Sequence, residues 1–421
     1  MSNAIRILLC LSAALATILA CSSQSPTSID TLPGSDQLTP HDGPDISDPD
    51  PNDNPNDDPG THGTAGLTWH FVIDPAASGF YLGRDILPTD DYGCMVLGAH
   101  HAGDERTQDI VLYRFDSEGR VLWTQTYAGP GGIGDYPYSL IETGDGNFAF
   151  AALMSTGSFD ICINKVDPNG TLLWRAPLGW FFMNSNAALA EAHDGGFVAI
   201  GRYPSTQADG RMVKADASGN VSWARSAVET GQQDFRGVVR STDGGYVLAK
   251  VSNLGDANAT DMKMLMTNAD GDLLWERDFG KPGMDVAMSV VRNGETYVMG
   301  GWTPGSGGSD VCLIAVDGSG NKLWEVTDNS ALRTSCLDIA VAANGDLLVV
   351  GSENPNTCGL FGKIMVARFT STGAMLWQKT YTQGEIGYYP AIAEAADGGI
   401  LVVFDAGPQM HVMKLGPNGQ Q

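Results

Sequence analysis

Apolar residues in this chain come in short runs cut by turn residues at regular intervals. Tyr246-Val247-Leu248 and Leu347-Leu348-Val349-Val350 are typical, each preceded by an Asp-Gly or Asn-Gly pair. Such pairs fall at Asp145-Gly146, Asp194-Gly195, Asp243-Gly244, Asn293-Gly294, Asn344-Gly345 and Asp397-Gly398, with Asp91-Tyr92 as a degenerate first copy. Tight hairpin turns need positive φ at their central residues, which Asn and Gly supply, so each pair reads as a turn between two strands. Helical periodicity is absent after residue 66, and no long stretch lacks turn punctuation.

A second marker keeps step with the first. Trp recurs at 69, 123, 174, 223, 275, 324 and 377, and a Gly stands four residues ahead of each from 123 onward (Gly119, Gly170, Gly219, Gly271, Gly320, Gly373). Gly416-Pro417-Asn418-Gly419 repeats that turn, but the chain ends before another Trp can follow. Each period of about fifty residues thus holds four strands, in the second copy near 137–143, 147–153, 159–166 and 171–177. Four-stranded units repeated at this length predict an all-β chain, a seven-bladed β-propeller. Seven turns of each kind are present, but only six Trp strands follow residue 100. The missing strand is therefore expected at residues 67–73, pairing beside 410–415 and closing the last blade with the N-terminal strand. Closure removes the two exposed sheet edges an open arc would keep. The recurrent Trp are read as fillers between neighbouring sheets.

The first residues are different. Arg6 followed by the apolar run 7–20 reads as a signal peptide over 1–20. Ile18-Leu19-Ala20-Cys21 resembles a bacterial lipobox, which implies acylation of Cys21 and an exported protein anchored to the cell envelope, with Ser22 pointing to the outer membrane. Residues 21–66 then form a tether: nine Asp, eight Pro and no Lys, Arg or aromatic residue lie between Ser22 and Gly66. Such a composition cannot offset the entropy of ordering, so a disordered linker is expected before the propeller at 67–421.

Composition narrows the function. The 421 residues carry 24 basic and 49 acidic side chains, a net charge of −25, which argues against nucleic acid as a partner. No nucleophile elbow, metalloprotease motif or phosphate loop occurs, so no catalytic residue, metal ligand or cofactor is assigned. His100-His101 point to opposite sides of a strand and do not make a metal pair. The turns joining strands within hairpins are short, whereas the opposite end carries longer, varied loops, where function on repeat scaffolds concentrates. Aromatic residues at that end are the candidate binding residues: Tyr136, Tyr138, Trp180, Phe181, Phe182, Trp302, Tyr388 and Tyr389. Cys336 and Cys358 fall on the same face of one blade, which makes them a candidate disulfide in an exported protein.

The pairing of Asp-x-x-Gly-x-x-x-Trp with Asp-Gly-Gly-[Phe/Tyr]-Val over 67–419 resembles quinoprotein-like propeller repeats of secreted bacterial proteins. It is also similar to the propeller lipoproteins of outer-membrane barrel assembly, which act as scaffolds. That resemblance implies a binding or scaffold module for a protein or glycan. The alternatives left open are a polysaccharide-acting enzyme with dispersed active-site residues and a scaffold subunit of an outer-membrane assembly complex.

Overall fold

The computed structural model describes residues 66–73, 79–101, 108–129, 134–156, 159–179, 188–202, 210–226, 232–253, 260–353, 362–386 and 389–421. The signal, Cys21 and the tether lie outside the described residues. Within them the chain is strand and turn throughout, forming seven four-stranded antiparallel sheets. Blade 1 runs β2 (Phe80–Pro88), β3 (Cys94–His101), β4 (Asp109–Phe115), β5 (Val121–Tyr127) from hub to rim. Blades 2 to 6 repeat the order, their hub strands being β6 (Tyr136–Glu142), β10 (Leu189–Glu191), β14 (Gln232–Arg240), β18 (Val286–Asn293) and β22 (Thr334–Val341).

Blade 7 is closed from both ends of the chain. β26 (Ala391–Glu394), β27 (Ile400–Ala406) and β28 (Gln409–Leu415) are consecutive, and β1 (Trp69–Ile73) supplies the rim strand. β1 runs antiparallel to β28 with Trp69 opposite Lys414 and Ile73 opposite Met410, the pairing the strand count requires. The expected strands of blade 2 are also found, shifted by a residue or two at their ends: Tyr136–Glu142, Phe148–Ser155, Phe159–Val166 and Leu172–Pro177.

There is no single core. Seven apolar clusters each fill one gap between neighbouring blades. Val96, Phe115, Val403 and Met410 pack between blades 1 and 7, and Leu97, Leu112, Phe150 and Met154 between blades 1 and 2. Middle strands are consequently buried on both faces, which is why they read as continuous apolar runs rather than alternating ones.

At the rim, each Trp meets the turn of the next blade. A Cβ added at Gly119 would lie 2.5 Å from Trp69, one at Gly271 would lie 2.8 Å from Trp223, and one at Gly419 would lie 2.8 Å from Trp377. All seven such glycines have positive φ. Glycine is thus required twice over, by backbone conformation and by the indole against it. Trp69 Nε1 also donates to Ser117 O at 3.0 Å, and Trp275 Nε1 to Gly318 O at 3.0 Å. This Trp–turn clasp passes round the whole ring, β1 included.

The Asp of the other turn has its own partner. Lys165 Nζ reaches Asp145 at 2.6 Å and Lys414 reaches Asp397 at 2.8 Å, the last pair enclosed; in blade 6, where Asn344 stands in the turn, Arg368 reaches Asn344 at 3.1 Å and Asp346 at 2.9 Å. Blade 1 matches this with Arg114 and Asp91 at 2.6 Å. There Tyr92 takes the positive-φ position at 66°.

Candidate binding site

Five hub strands carry a β-bulge at the same place. The register slips at Arg84 in β2, Tyr138 in β6, Arg236 in β14, Met288 in β18 and Leu337 in β22. A bulge adds one residue and re-aims its side chain. Here the extra residues turn into the central channel, where Arg84, Tyr138, Arg236, Met288 and Leu337 line a cavity of about 110 Å³ together with Tyr389. The Arg84 guanidinium lies over the Tyr389 ring at 5.6 Å, a cation–π contact. Arg236 bonds Asp234 at 3.3 Å.

In three of these five strands the residue after the bulge ties one blade to the next. Asp85 Oδ2 accepts the Leu140 N–H at 2.7 Å, Ser139 Oγ accepts the Leu189 N–H at 3.3 Å, and Asp338 Oδ2 accepts the Ile392 N–H at 3.2 Å. Burial pushes Asp85 up to about 7, with the Asp338 charge adding to the rise, and burial lifts Asp338 to about 6. Both carboxyls are thus committed to main-chain donors at the hub, a stitching task rather than acid–base work. Asp405, near the end of β27, is 0% exposed, and neither side-chain oxygen has a hydrogen-bond partner. Burial raises it to about 7 against the opposing pull of the Arg84 charge.

The aromatic residues expected at the long-loop end are dispersed. Tyr138 and Tyr389 line the channel. Tyr136 begins β6, half-buried against the cluster between blades 2 and 3. Trp302 is not on a loop: β19 (Thr296–Gly305) extends through it, opposite Val286 and Val311, and only 8% of its surface is exposed. Trp180, Phe181, Phe182 and Tyr388 lie outside the described residues. Cys336 is a buried free thiol whose Sγ approaches Asp338 O at 3.6 Å and faces Gly300 of blade 5, while Cys358 lies outside the described residues. His100 stacks on Tyr81 and His101 on Phe80, with centroids 4.4 and 5.6 Å apart.

Arg84, Arg236, Asp85, Asp338 and Asp405 are the residues that sequence reasoning missed. Aligning the repeats on their Asp-Gly turns would have placed Arg84, Tyr138, Arg236 and Leu337 in one column, seven residues ahead of Asp91, Asp145, Asp243 and Asn344. That column varies while its surroundings repeat.

The family described as outer membrane protein assembly factor BamB matches residues 107–315 and 257–389. No curated protein matches the chain. Similar solved structures include a puromycin hydrolase, 12% identical over 80% of this chain and 52% of that one, with a TM-score of 0.53. A protein of unknown function from Dyadobacter fermentans is 10% identical over 85% of this chain and 99% of that one, with a TM-score of 0.50. Prolyl oligopeptidase B from Galerina marginata is 12% identical over 81% and 49%, also with a TM-score of 0.50. At such identities the likeness concerns the fold alone.

Proposed function

The chain belongs to the family of outer membrane protein assembly factor BamB, and from that premise we propose that it is a non-enzymatic scaffold of the cell envelope that binds a protein partner at the long-loop end of the propeller. In this reading Cys21 carries the lipid anchor, residues 22–66 let the propeller range away from the membrane, and the mouth of the channel receives the partner.

One observation carries the choice of surface. The seven blades repeat one another closely in their turns, Trp clasps and apolar runs, but the five bulge residues differ in charge and size. Arg84, Tyr138 and Arg236 converge there with Tyr389, and Arg and Tyr are the residue types that dominate binding energy at protein interfaces.

The test is capture from envelope extracts with the full chain and with Arg84→Gln/Arg236→Gln, whose fold is checked by thermal midpoint. The wild type is expected to retain a partner that the double variant loses about tenfold or more, as removal of hot-spot arginines does. Equal capture by a folded double variant would overturn the assignment of the surface. Cys21→Ser is expected to move the protein from the membrane to the soluble fraction, and continued co-sedimentation would overturn the anchor.

A further inference from the structure

The long-loop end of blade 5 holds two carboxylates for which no ion pair forms among the described residues, each with one enclosed oxygen lacking a hydrogen-bond partner. Asp310 lies on β20 (Gly308–Val316) opposite Thr303 of β19. Only 5% of its surface is exposed, and its Oδ1 is enclosed without a hydrogen-bond partner. Asp328, on the segment leading to β22, also has an enclosed Oδ1 without a partner.

Main-chain geometry sets Asp328 beside Val311, the residue after Asp310. The Asp328 N–H donates to Val311 O at 3.3 Å, and the Val311 N–H donates to Thr334 Oγ1 at 3.1 Å. Thr334 Oγ1 in turn donates to Asp328 Oδ2 at 2.7 Å. Burial raises both acids above the usual carboxylate range, and the Asp310 charge pushes Asp328 further.

Neighbouring acids are handled differently. Asp285, on the same end of the blade, accepts from Thr303 Oγ1 and from the Lys281 N–H at 2.7 Å. The Lys281 ammonium is engaged by Glu325 at 2.5 Å and acts on Asp310 only through its field. A buried, unpaired carboxylate such as Asp310 is costly, and more so beside a second, half-buried carboxylate that repels it. Such a pair invites a cation.

We propose that Asp310 and Asp328 form a binding site for a divalent, oxygen-preferring cation of the calcium type, joining blade 5 to the start of blade 6. Their unpartnered oxygens supply two anionic ligands. Calcium takes six to eight oxygens and fills the remainder with carbonyls and water, so a site of two carboxylates suits it at the weak end of its range, with a Kd on the order of 10⁻⁴–10⁻³ M. Among the described residues no group of three or more His, Cys, Asp or Glu is placed to hold a metal, so the remaining ligands would be carbonyls, amides, hydroxyls or water. Occupation would clamp β20 to the chain entering β22, between the two blades.

The experiment is thermal unfolding of the full chain after chelator treatment, with calcium chloride titrated at constant ionic strength and magnesium and sodium chloride as parallels. Calcium at about 10 mM is expected to raise the wild-type midpoint by about 2 °C, from binding to the folded state alone. Asp310→Asn and Asp328→Asn should each abolish that rise, and each should raise the metal-free midpoint by removing the repulsion. Asp405→Asn, remote from the site, should keep the full calcium response. Three results would overturn the proposal: no calcium shift in the wild type, an equal shift with sodium chloride, or an undiminished calcium shift in folded Asp310→Asn.

Discussion

Asp405→Asn isolates the energetics of one buried carboxyl. In the folded protein Asp405 is enclosed on β27 without a hydrogen-bond partner, and burial moves it from 3.8 to about 7. The unfolded chain keeps the ordinary value. A raised carboxyl favours the folded state while protonated, so its contribution is fully present below about pH 4. It declines as pH rises and is gone once pH has passed 7, where the folded protein must also ionise the group. Each tenfold change in proton affinity is worth about 1.36 kcal/mol. Between pH 5 and pH 8 the wild type should therefore lose about 2–3 kcal/mol that Asn at this position cannot lose. Spread over the folded region at roughly 2.1 cal/mol/K per residue, this is a relative midpoint change of about 3 °C. The assay is thermal or urea unfolding of both proteins at pH 5 and pH 8. His411, which burial lowers to about 4, destabilises in the opposite direction as pH falls through 6.5, but it does so in both proteins and cancels from the comparison. A difference between wild type and variant that stays constant across this pH interval would refute the reasoning.

The Trp clasp and the ring closure make further predictions. Gly146 and Gly271 share nearly the same φ, 76° and 77°, but a Cβ at Gly146 meets nothing within 4 Å while one at Gly271 lies 2.8 Å from Trp223. In urea unfolding, Gly146→Ala should cost about 1–2 kcal/mol from backbone strain alone, and Gly271→Ala about 1–3 kcal/mol more from overpacking. Equal costs would mean that the indole contact contributes nothing. Deletion of 67–73 should lower the thermal midpoint by several degrees, since it removes the pairing of β1 with β28 and the Trp69 clasp at Gly119; an unchanged midpoint would refute closure by this strand.

Much of the architecture is written in the turns. A positive-φ requirement at Gly146 or Gly271 leaves glycine little substitute, so the turns recur visibly, and the Trp that contacts one glycine per blade recurs with them. The latch was legible because the seventh Trp strand had to come from somewhere, and only residues 67–73 carried one. The hub was not legible in the same way. A β-bulge at Arg84 or Arg236 leaves no mark in composition, because any residue can occupy it. Trp302 was placed on a loop because Gly301, Pro304 and Gly305 crowd around it. In the fold β19 continues through them, with Cys336 Sγ and Met262 Cε occupying the space that side chains at Gly300 and Gly301 would need. Asp310 carries no sequence signal of its own, and only its enclosure makes it chemically uncommon.

Closing blade 7 with β1 has a consequence in time. Trp69 is joined to the growing chain well before its partner Lys414. At about 5–20 residues per second the first strand waits on the order of tens of seconds with its apolar side unmatched. No blade order can finish the ring sooner. The ring therefore passes through a stage in which six sheets can be complete while β1 still waits for the three strands of the seventh.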